Sequence, residues 1–160
     1  MYVGPSSKVG AFMDQNVGQV ICPLARKRSD GLVELIGTCF AVGPRIFATA
    51  AHVTGPSDAG LVAIVGRVNQ LSDYQDTTDS SAQTFDMRLV AFDPIRDIAI
   101  IEIVDAHSFV SIGYEIDNTD TIGTGSPVVG FGFPHSDQGR LVLTQQASTV
   151  GARILLGNGA

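Results

Sequence analysis

Residues 37–53 read GTCFAVGPRIFATAAHV and contain two apolar runs on either side of Gly43-Pro44. Short apolar runs bounded by glycine and proline are typical of β-strands, because both residues favour turns over regular structure. We therefore expect a strand on each side of this turn, the second one over residues 45–51. Small side chains fill this second strand and His52 follows it, so a titratable ring is expected at the end of a strand.

The composition of the whole chain points to the same class of structure. Val, Ile and Thr make up 41 of the 160 residues, and there are 18 Gly and 7 Pro, whereas Lys and Glu number only 2 and 3. β-Branched residues fit the pleated surface of a sheet, and glycine and proline supply the turns between strands. The sequence therefore predicts an all-β protein.

Apolar runs along the chain predict nine strands, the first two joined as a hairpin around Ser29-Asp30-Gly31. The predicted strands are residues 17–24, 32–42, 45–51, 60–68, 85–92, 98–104, 127–133, 139–146 and 147–156. The almost continuously apolar run at 98–104 is expected to be buried on both faces. The polar residues 69–83 are predicted to form a surface loop, and residues 114–125 are predicted to form a turn-rich linker.

Simple counts disfavour several classes of partner and location. The net charge of −6 disfavours a nucleic-acid partner, which needs a basic face for phosphates. The chain has no apolar run long enough for a membrane span, and its first 16 residues do not resemble a secretory signal, so we expect a cytoplasmic protein without a membrane partner. Cys22 and Cys39 then fit free thiols, although a hairpin that placed them side by side would allow a disulfide.

Two segments contain the residues that are best suited to catalysis. His52 ends the run of small residues at 48–51, and Asp97 stands at the start of the most apolar run in the chain. A carboxylate in apolar surroundings needs a partner, either a nearby Arg or the ring of a histidine. An Asp that accepts the ring N–H of a His fixes the tautomer and stabilises the imidazolium that forms during acyl transfer. The order His then Asp, 45 residues apart, is that of chymotrypsin-type enzymes.

These segments resemble the sequence motifs of trypsin-like serine proteases. Residues 49–53 (TAAHV), preceded by residues 37–42 (GTCFAV), resemble the histidine motif of that family, which is the most specific part of the likeness. Asp97-Ile98-Ala99 resembles its D-[IL]-A motif, and residues 130–134 (GFGFP) resemble a G-x-P-containing strand early in its second barrel. The likeness extends from about residue 17 to residue 154.

The resemblance implies two antiparallel six-stranded β-barrels, with the active site in the cleft between them and a polypeptide as substrate. The first barrel would span residues 16–105 after a tail at residues 1–15. A linker at residues 106–125 would lead to residues 126–160, the start of an incomplete second barrel. His52 would be the general base, and Asp97 would be the carboxylate that orients it.

Two departures place the chain within that family. Val53 stands where secreted digestive members usually have Cys, so the disulfide beside the histidine is absent. No I-V-G-G sequence occurs near the start, so activation by a freed N-terminus is not supported. The closer likeness is to bacterial, HtrA-like peptidase domains.

The catalytic serine of the family has no counterpart in this sequence. No G-[DN]-S-G-G string occurs, and Ser136 and Ser148 lack flanking glycines. Ser126 follows a glycine, but the adjacent Pro127 has no N–H for an oxyanion hole. In the family the serine motif lies farther beyond the aspartate than the 63 residues that follow Asp97. We therefore expect the sequence to end before its nucleophile and the chain to be inactive by itself.

Other ligands have little support, and no cofactor or metal is expected. The three histidines, His52, His107 and His135, lack the spacing of a metal site. Gly130-x-Gly132 is followed by Phe-Pro, which cannot open a helix for a nucleotide phosphate. The basic residues 26–28 are read as a solvated turn.

Two functions follow from these observations. The first is a serine-type endopeptidase domain that holds the His and Asp of a Ser-His-Asp triad. The alternative is a catalytically inactive, protease-like barrel that serves as a protein-interaction module. An incomplete second barrel would also leave sheet edges and apolar side chains open, so self-association or a mobile C-terminal third is expected. The side chains in question are Leu141, Leu143, Ile154 and Leu155.

Overall fold

The computed structural model describes residue 18 and residues 20–65, 83–104, 119–134 and 141–153. Eight strands lie in these ranges: β1 (Ile21–Lys27), β2 (Val33–Ala41), β3 (Ile46–Thr49), β4 (Leu61–Val65), β5 (Gln83–Asp93), β6 (Ile98–Ile103), β7 (Pro127–Gly132) and β8 (Thr144–Thr149). One turn of helix, α1 (Ala51–Thr54), follows β3, and a 3-10 turn at Thr119–Thr121 precedes β7. Of the predicted loop at residues 69–83, residues 69–82 lie outside the described residues, and Gln83 is the first residue of β5.

The first six strands close into an antiparallel barrel in the order β1–β2–β3–β6–β5–β4. This confirms the prediction of an all-β protein built on a six-stranded barrel. The predicted hairpin joins β1 to β2, with Lys27 opposite Val33. Gly31 in its turn has a φ of +82°, a left-handed conformation that glycine adopts without steric cost.

The barrel interior is filled by side chains that alternate along the strands. Leu24, Phe47 and Ile101 are fully buried, and burial of such a side chain contributes about 1.5–3 kcal/mol. In β6 every second residue is buried and the first residue, Ile98, remains 46% exposed. The prediction that this strand is buried on both faces is wrong, because a barrel strand turns only one face to the interior.

The two cysteines lie directly opposite each other on β1 and β2. Both are buried, and both are free thiols. Burial raises the pKa of Cys22 to about 12 and raises the pKa of Cys39 well above its usual range. The hairpin therefore brings the thiols side by side, as the disulfide alternative required, but no bridge is formed.

The remaining two strands, β7 and β8, form a separate antiparallel pair, from Pro127 opposite Thr149 to Gly132 opposite Thr144. The sequence predicted two strands here, at residues 139–146 and 147–156. That boundary is wrong, because β8 runs across it. Of these residues, those at 139–140 and 154–156 lie outside the described ranges.

The segment before β8 packs against the first barrel instead of continuing the sheet. Leu143 is 3% exposed and packs with Phe133, Phe131 and Ile21. Leu141 packs against a second small cluster that contains Ala25, Val62 and Ile64. The expectation that Leu141 and Leu143 are open is therefore wrong, because Leu143 is buried and Leu141 is partly buried against the barrel. Ile154 and Leu155 lie outside the described residues.

None of the helical segments in the described part of the chain has the length and hydropathy of a membrane-spanning helix. The same residues contain no group of three or more His, Cys, Asp or Glu side chains that could hold a metal ion. His107 and His135 lie outside the described ranges.

Candidate catalytic site

The pairing of β3 with β6 explains why two residues 45 positions apart come together. Thr49, the last residue of β3, lies opposite Ala99, the second residue of β6. Antiparallel strands run in opposite directions, so the residues after Thr49 and those before Ala99 lie at the same end of the barrel. His52, on α1, and Asp97, at the end of the β5–β6 turn, are therefore brought to one place.

His52 and Asp97 are joined by two contacts. The ring Nδ1 of His52 lies 2.7 Å from Oδ2 of Asp97. The backbone N–H of His52 donates to Oδ1 of the same carboxylate at 2.9 Å. Both oxygens of Asp97 are thus used to hold one residue, its ring through one oxygen and its backbone through the other.

The contacts define the charge state of the carboxylate and the tautomer of the ring. The pKa of Asp97 is held below its usual value, first by the backbone N–H of His52 and then by its ring N–H. An ionised Asp97 is an acceptor only, so Nδ1 of a neutral His52 must carry the proton. Nε2 then carries the lone pair, on a side chain that is 73% exposed. This arrangement is suited to accepting a proton from a reacting group.

The arginines that could have paired with Asp97 are used elsewhere. Arg96 donates to Asp93 at 2.7 Å, and Arg88 is paired with Glu102 across β5 and β6. The alternative in which Asp97 is neutralised by one of these arginines is therefore not seen.

The surroundings of Asp97 differ from the apolar setting that the sequence suggested. Its side chain is 49% exposed, and the neighbouring Ile98 is 46% exposed. Burial in this strand begins at Ala99, which is fully covered. The carboxylate stands in a solvent-facing turn, and it is held by hydrogen bonds and not by an apolar pocket.

Two contacts hold the helical turn that carries His52. A Cβ atom at Gly37 would lie 2.7 Å from Cγ1 of Val53, so β2 leaves space there for this side chain. The guanidinium of Arg26 donates to the carbonyl oxygens of Thr54 and Ala59, each at 2.6 Å, and so fixes the segment after α1. Arg26 and Lys27 lie in β1, so the predicted turn at residues 26–28 is wrong for these two, although Lys27 is exposed as predicted.

A residue that sequence reasoning missed, Thr38, connects the barrel to the second sheet. Its carbonyl oxygen accepts the buried hydroxyl of Thr49 at 2.8 Å, and its own hydroxyl oxygen accepts the N–H of Phe133 at 3.1 Å. Its neighbour Gly37 and the glycines of β7 line a cleft of about 470 Å³ with it. The sequence offered Gly37-Thr38, in the stretch 37–53, as the only signal for this contact. It did not indicate the partner, because Phe133 lies 95 residues from Thr38.

Ser126 and Ser148 are not arranged as partners of His52. Ser126 lies in the turn before β7, where its hydroxyl oxygen accepts the N–H of Gly123 at 3.2 Å. Ser148 lies in the middle of β8, opposite Val128. Within the described ranges the ring of His52 is hydrogen-bonded to Asp97 and to no serine. Ser136 lies outside those ranges.

Comparison with known proteins adds one finding. The sequence model of a family described as trypsin-like peptidase domain matches residues 37–154 of this chain. The match covers most of the chain, begins at the Gly37 that accommodates Val53, and includes His52 and Asp97. No curated protein matches the chain.

Proposed function

Since the chain belongs to the trypsin-like peptidase family, we propose that it contributes His52 and Asp97 to a serine-type endopeptidase site. The single observation that carries this proposal is the double contact of Asp97 with the ring and the backbone of His52. A carboxylate that only neutralised a charge would not need to hold both the ring and the backbone of His52. A carboxylate that orients a general base needs both contacts, because the ring must present one particular nitrogen to the substrate.

In the proposed reaction Nε2 of His52 takes the proton of a serine hydroxyl while the serine oxygen attacks the scissile carbonyl carbon of a polypeptide. Asp97 stabilises the imidazolium that results. The imidazolium then gives the proton to the leaving amine, and the C–N bond breaks to leave an acyl-enzyme. Water, activated by the same ring, hydrolyses the ester and returns the serine hydroxyl.

We assign the nucleophile to none of the serines of this sequence. Ser126 is committed to a turn with Gly123, and Pro127 after it has no N–H to stabilise an oxyanion. The proposal is therefore that these 160 residues supply the base and its orienting carboxylate, and that they do not form an acyl-enzyme by themselves. Without a nucleophile, water held by the pair is a poor substitute.

The proposal is tested with a fluorophosphonate probe, which labels activated serines. We expect no labelling of the 160-residue chain. Stoichiometric labelling that is lost in H52A would show that a serine within these residues is activated and that our assignment is wrong. If the coding sequence downstream of residue 160 contains a G-[DN]-S-G-G motif, the extended chain should be labelled and should cleave a denatured protein, and both properties should be lost in H52A.

A second function is favoured by the absence of a serine motif from the sequence. A barrel of this family without a nucleophile would act by binding another protein. In that case the coding sequence would reach an in-frame stop before any G-[DN]-S-G-G motif, and neither probe labelling nor proteolysis would be measured in any natural form of the protein. The downstream sequence therefore separates the two functions.

A further inference from the structure

The turn between β5 and β6, residues 94–97, has an unusual conformation at its last residue. Asp97 has a φ of +55° and is the only non-glycine residue with a positive φ in the described part of the chain. A left-handed conformation is costly for residues with a Cβ atom, although Asp tolerates it better than most. It persists only where the surroundings hold it. Some group other than solvent must therefore stabilise this turn.

Packing of apolar side chains does not supply that support. All four residues of the turn are exposed, and Ile95, its only large apolar residue, is 93% exposed. Both oxygens of Asp97 accept hydrogen bonds from His52, and in the described residues neither accepts one from the turn itself. The stabilising contacts must come from a polar group next to the turn.

Asp93, the last residue of β5, provides these contacts. Its Oδ1 accepts the backbone N–H groups of Ile95 and Arg96, each at 3.0 Å. Its Oδ2 accepts the guanidinium of Arg96 at 2.7 Å. The backbone N–H of Arg96 is also the main cause of the lowered pKa of Asp93, so the carboxylate is ionised at neutral pH.

We propose that Asp93 is a positioning residue for the His52–Asp97 pair, acting through the backbone of the turn that holds Asp97 in its left-handed conformation. Asp93 precedes the turn and Asp97 ends it. The carboxylate of Asp93 holds the backbone of the turn, and the carboxylate of Asp97 holds the ring and the backbone of His52. This role deepens the proposed function, since it concerns the same site.

The barrel should not depend on this contact. β5 and β6 are paired from Met87 opposite Ile103 to Asp93 opposite Ile98, and this ladder does not use the side chain of Asp93. Loss of the Asp93 contacts should therefore free Asp97 without unfolding the strands. The effect is expected in the tautomer and orientation of the His52 ring.

Four variants separate the backbone contacts of Asp93 from its charge. D93A removes both. D93N keeps an oxygen acceptor for the two N–H groups but loses the charge, whereas D93E keeps the charge on a side chain too long for the same turn. R96Q removes the guanidinium and leaves the backbone N–H in place. We expect the Nδ1–H tautomer of the His52 ring to be lost in part in D93A and D93E. We expect D93N and R96Q to keep it, as the unaltered chain does.

A matched control lies in the β1–β2 turn. Asp30 accepts the backbone N–H of Leu32 at 3.1 Å and pairs with Arg28 at 3.2 Å, so it makes the same kinds of contact in that turn. D30A therefore removes an equivalent turn contact from a residue that makes no hydrogen bond or ion pair with His52 or Asp97 in the described residues. We expect it to leave the His52 ring unchanged.

The readout is the pair of ring nitrogen shifts of His52 in the ¹⁵N-labelled 160-residue chain, assigned with H52Q. The spectrum is recorded in the pH range where the ring shifts no longer change with pH, so that they report the tautomer of the neutral ring. The unaltered chain should show the Nδ1–H form. D93A and D93E should shift toward a mixture of both tautomers, while the backbone amide spectrum of β1–β6 stays dispersed.

The two proposals fail in different ways. A mixed tautomer in the unaltered chain would contradict the orienting role of Asp97 and thereby the proposed function. An Nδ1–H ring that is preserved in D93A and D93E would overturn the role of Asp93 alone. Loss of that tautomer in D93N and R96Q but not in D93E would also overturn it, because charge and not turn geometry would then be the cause.

Discussion

At the scale of single residues, the site depends on how one carboxylate is used. Asp97 is half-exposed, and it makes two hydrogen bonds to His52 with a backbone that only a few residue types tolerate. The sequence predicted the pairing of these residues from their types and order. It did not predict the exposure of Asp97 or its conformation, since both depend on where the β5–β6 turn lies relative to the barrel.

The lowered pKa of Asp97 gives the first prediction, a pH-dependent effect of D97N. A carboxylate whose pKa is lower in the folded chain stabilises it above the unfolded pKa, and this contribution is lost as pH falls through the folded pKa. Asn also tolerates the left-handed backbone, so the variant isolates the charge. We expect D97N to lower the urea midpoint at pH 6 and to have no effect once the pH is well below 3.8.

An equal effect of D97N at both pH values would contradict this prediction. The carboxyl ¹³C shift of Asp97 provides a direct check, because its titration midpoint should lie below 3.8.

The second prediction concerns the close approach of Gly37 and Val53. G37A places a methyl group 2.7 Å from Cγ1 of Val53, and we expect it to destabilise the chain by about 1–3 kcal/mol, as overpacking does. V53A removes the obstructing atoms, so the double variant G37A/V53A should be more stable than the sum of the two single effects predicts. Urea midpoints of the four proteins test this. Additive effects would mean that the two positions do not clash.

At the scale of elements, the decisive contacts join segments that are distant in sequence. The β3–β6 register brings α1 to the β5–β6 turn, and the hydroxyl of Thr38 on β2 holds Phe133 just after β7. Apolar periodicity predicted most of these strands, but it misplaced β8. A run such as residues 139–146 satisfies a strand pattern whether its leucines pack within a sheet or against a neighbouring barrel.

T38V tests the contact between the two sheets. Valine keeps the shape of threonine but has no oxygen to accept the N–H of Phe133, and loss of such a hydrogen bond costs about 1 kcal/mol. We expect faster hydrogen exchange at the Phe133 amide and in β7 and β8, with little change in β1–β6. T38S keeps the hydroxyl and should behave as the unaltered chain. Uniformly faster exchange in all strands would show that Thr38 stabilises the barrel itself.

At the scale of the whole molecule, a closed six-stranded barrel and an open two-stranded sheet have different expected stabilities. A closed barrel has no unpaired edges, whereas β7 and β8 are paired only with each other in the described residues, and Val128 and Val129 are about 40% exposed. Open edges and exposed apolar side chains favour association between chains. The burial of Leu143 and the partial burial of Leu141 reduce the apolar surface that the sequence alone suggested.

The prediction at this scale is weaker hydrogen-exchange protection after residue 125 than before residue 105, together with concentration-dependent self-association in sedimentation experiments. The V128K/V129K variant should reduce association without changing protection in β1–β6. A chain that is monomeric at all concentrations and equally protected in both regions would contradict this prediction.

The sequence by itself determined the all-β class, the hairpin at Asp30-Gly31, and the choice of His52 and Asp97. These features follow from residue types and from short periodic patterns, which reflect local conformational preference and the burial of one strand face. The division of the chain into a tail, a first barrel, a linker and a second barrel stays a prediction, as do the catalytic roles of the two residues.

Only the tertiary structure decided which residues surround the pair. It placed Asp93 beneath the turn of Asp97, Val53 against Gly37 and Thr38 against Phe133, and it left Cys22 and Cys39 facing each other as free thiols. The contacts of Val53 with Gly37 and of Thr38 with Phe133 depend on the register and closure of strands distant in sequence, whereas those of Asp93 are made within its own turn. The physical reason is that side-chain patterns specify which face of a strand is buried, whereas the packing of the whole barrel decides which strands meet and at which residues.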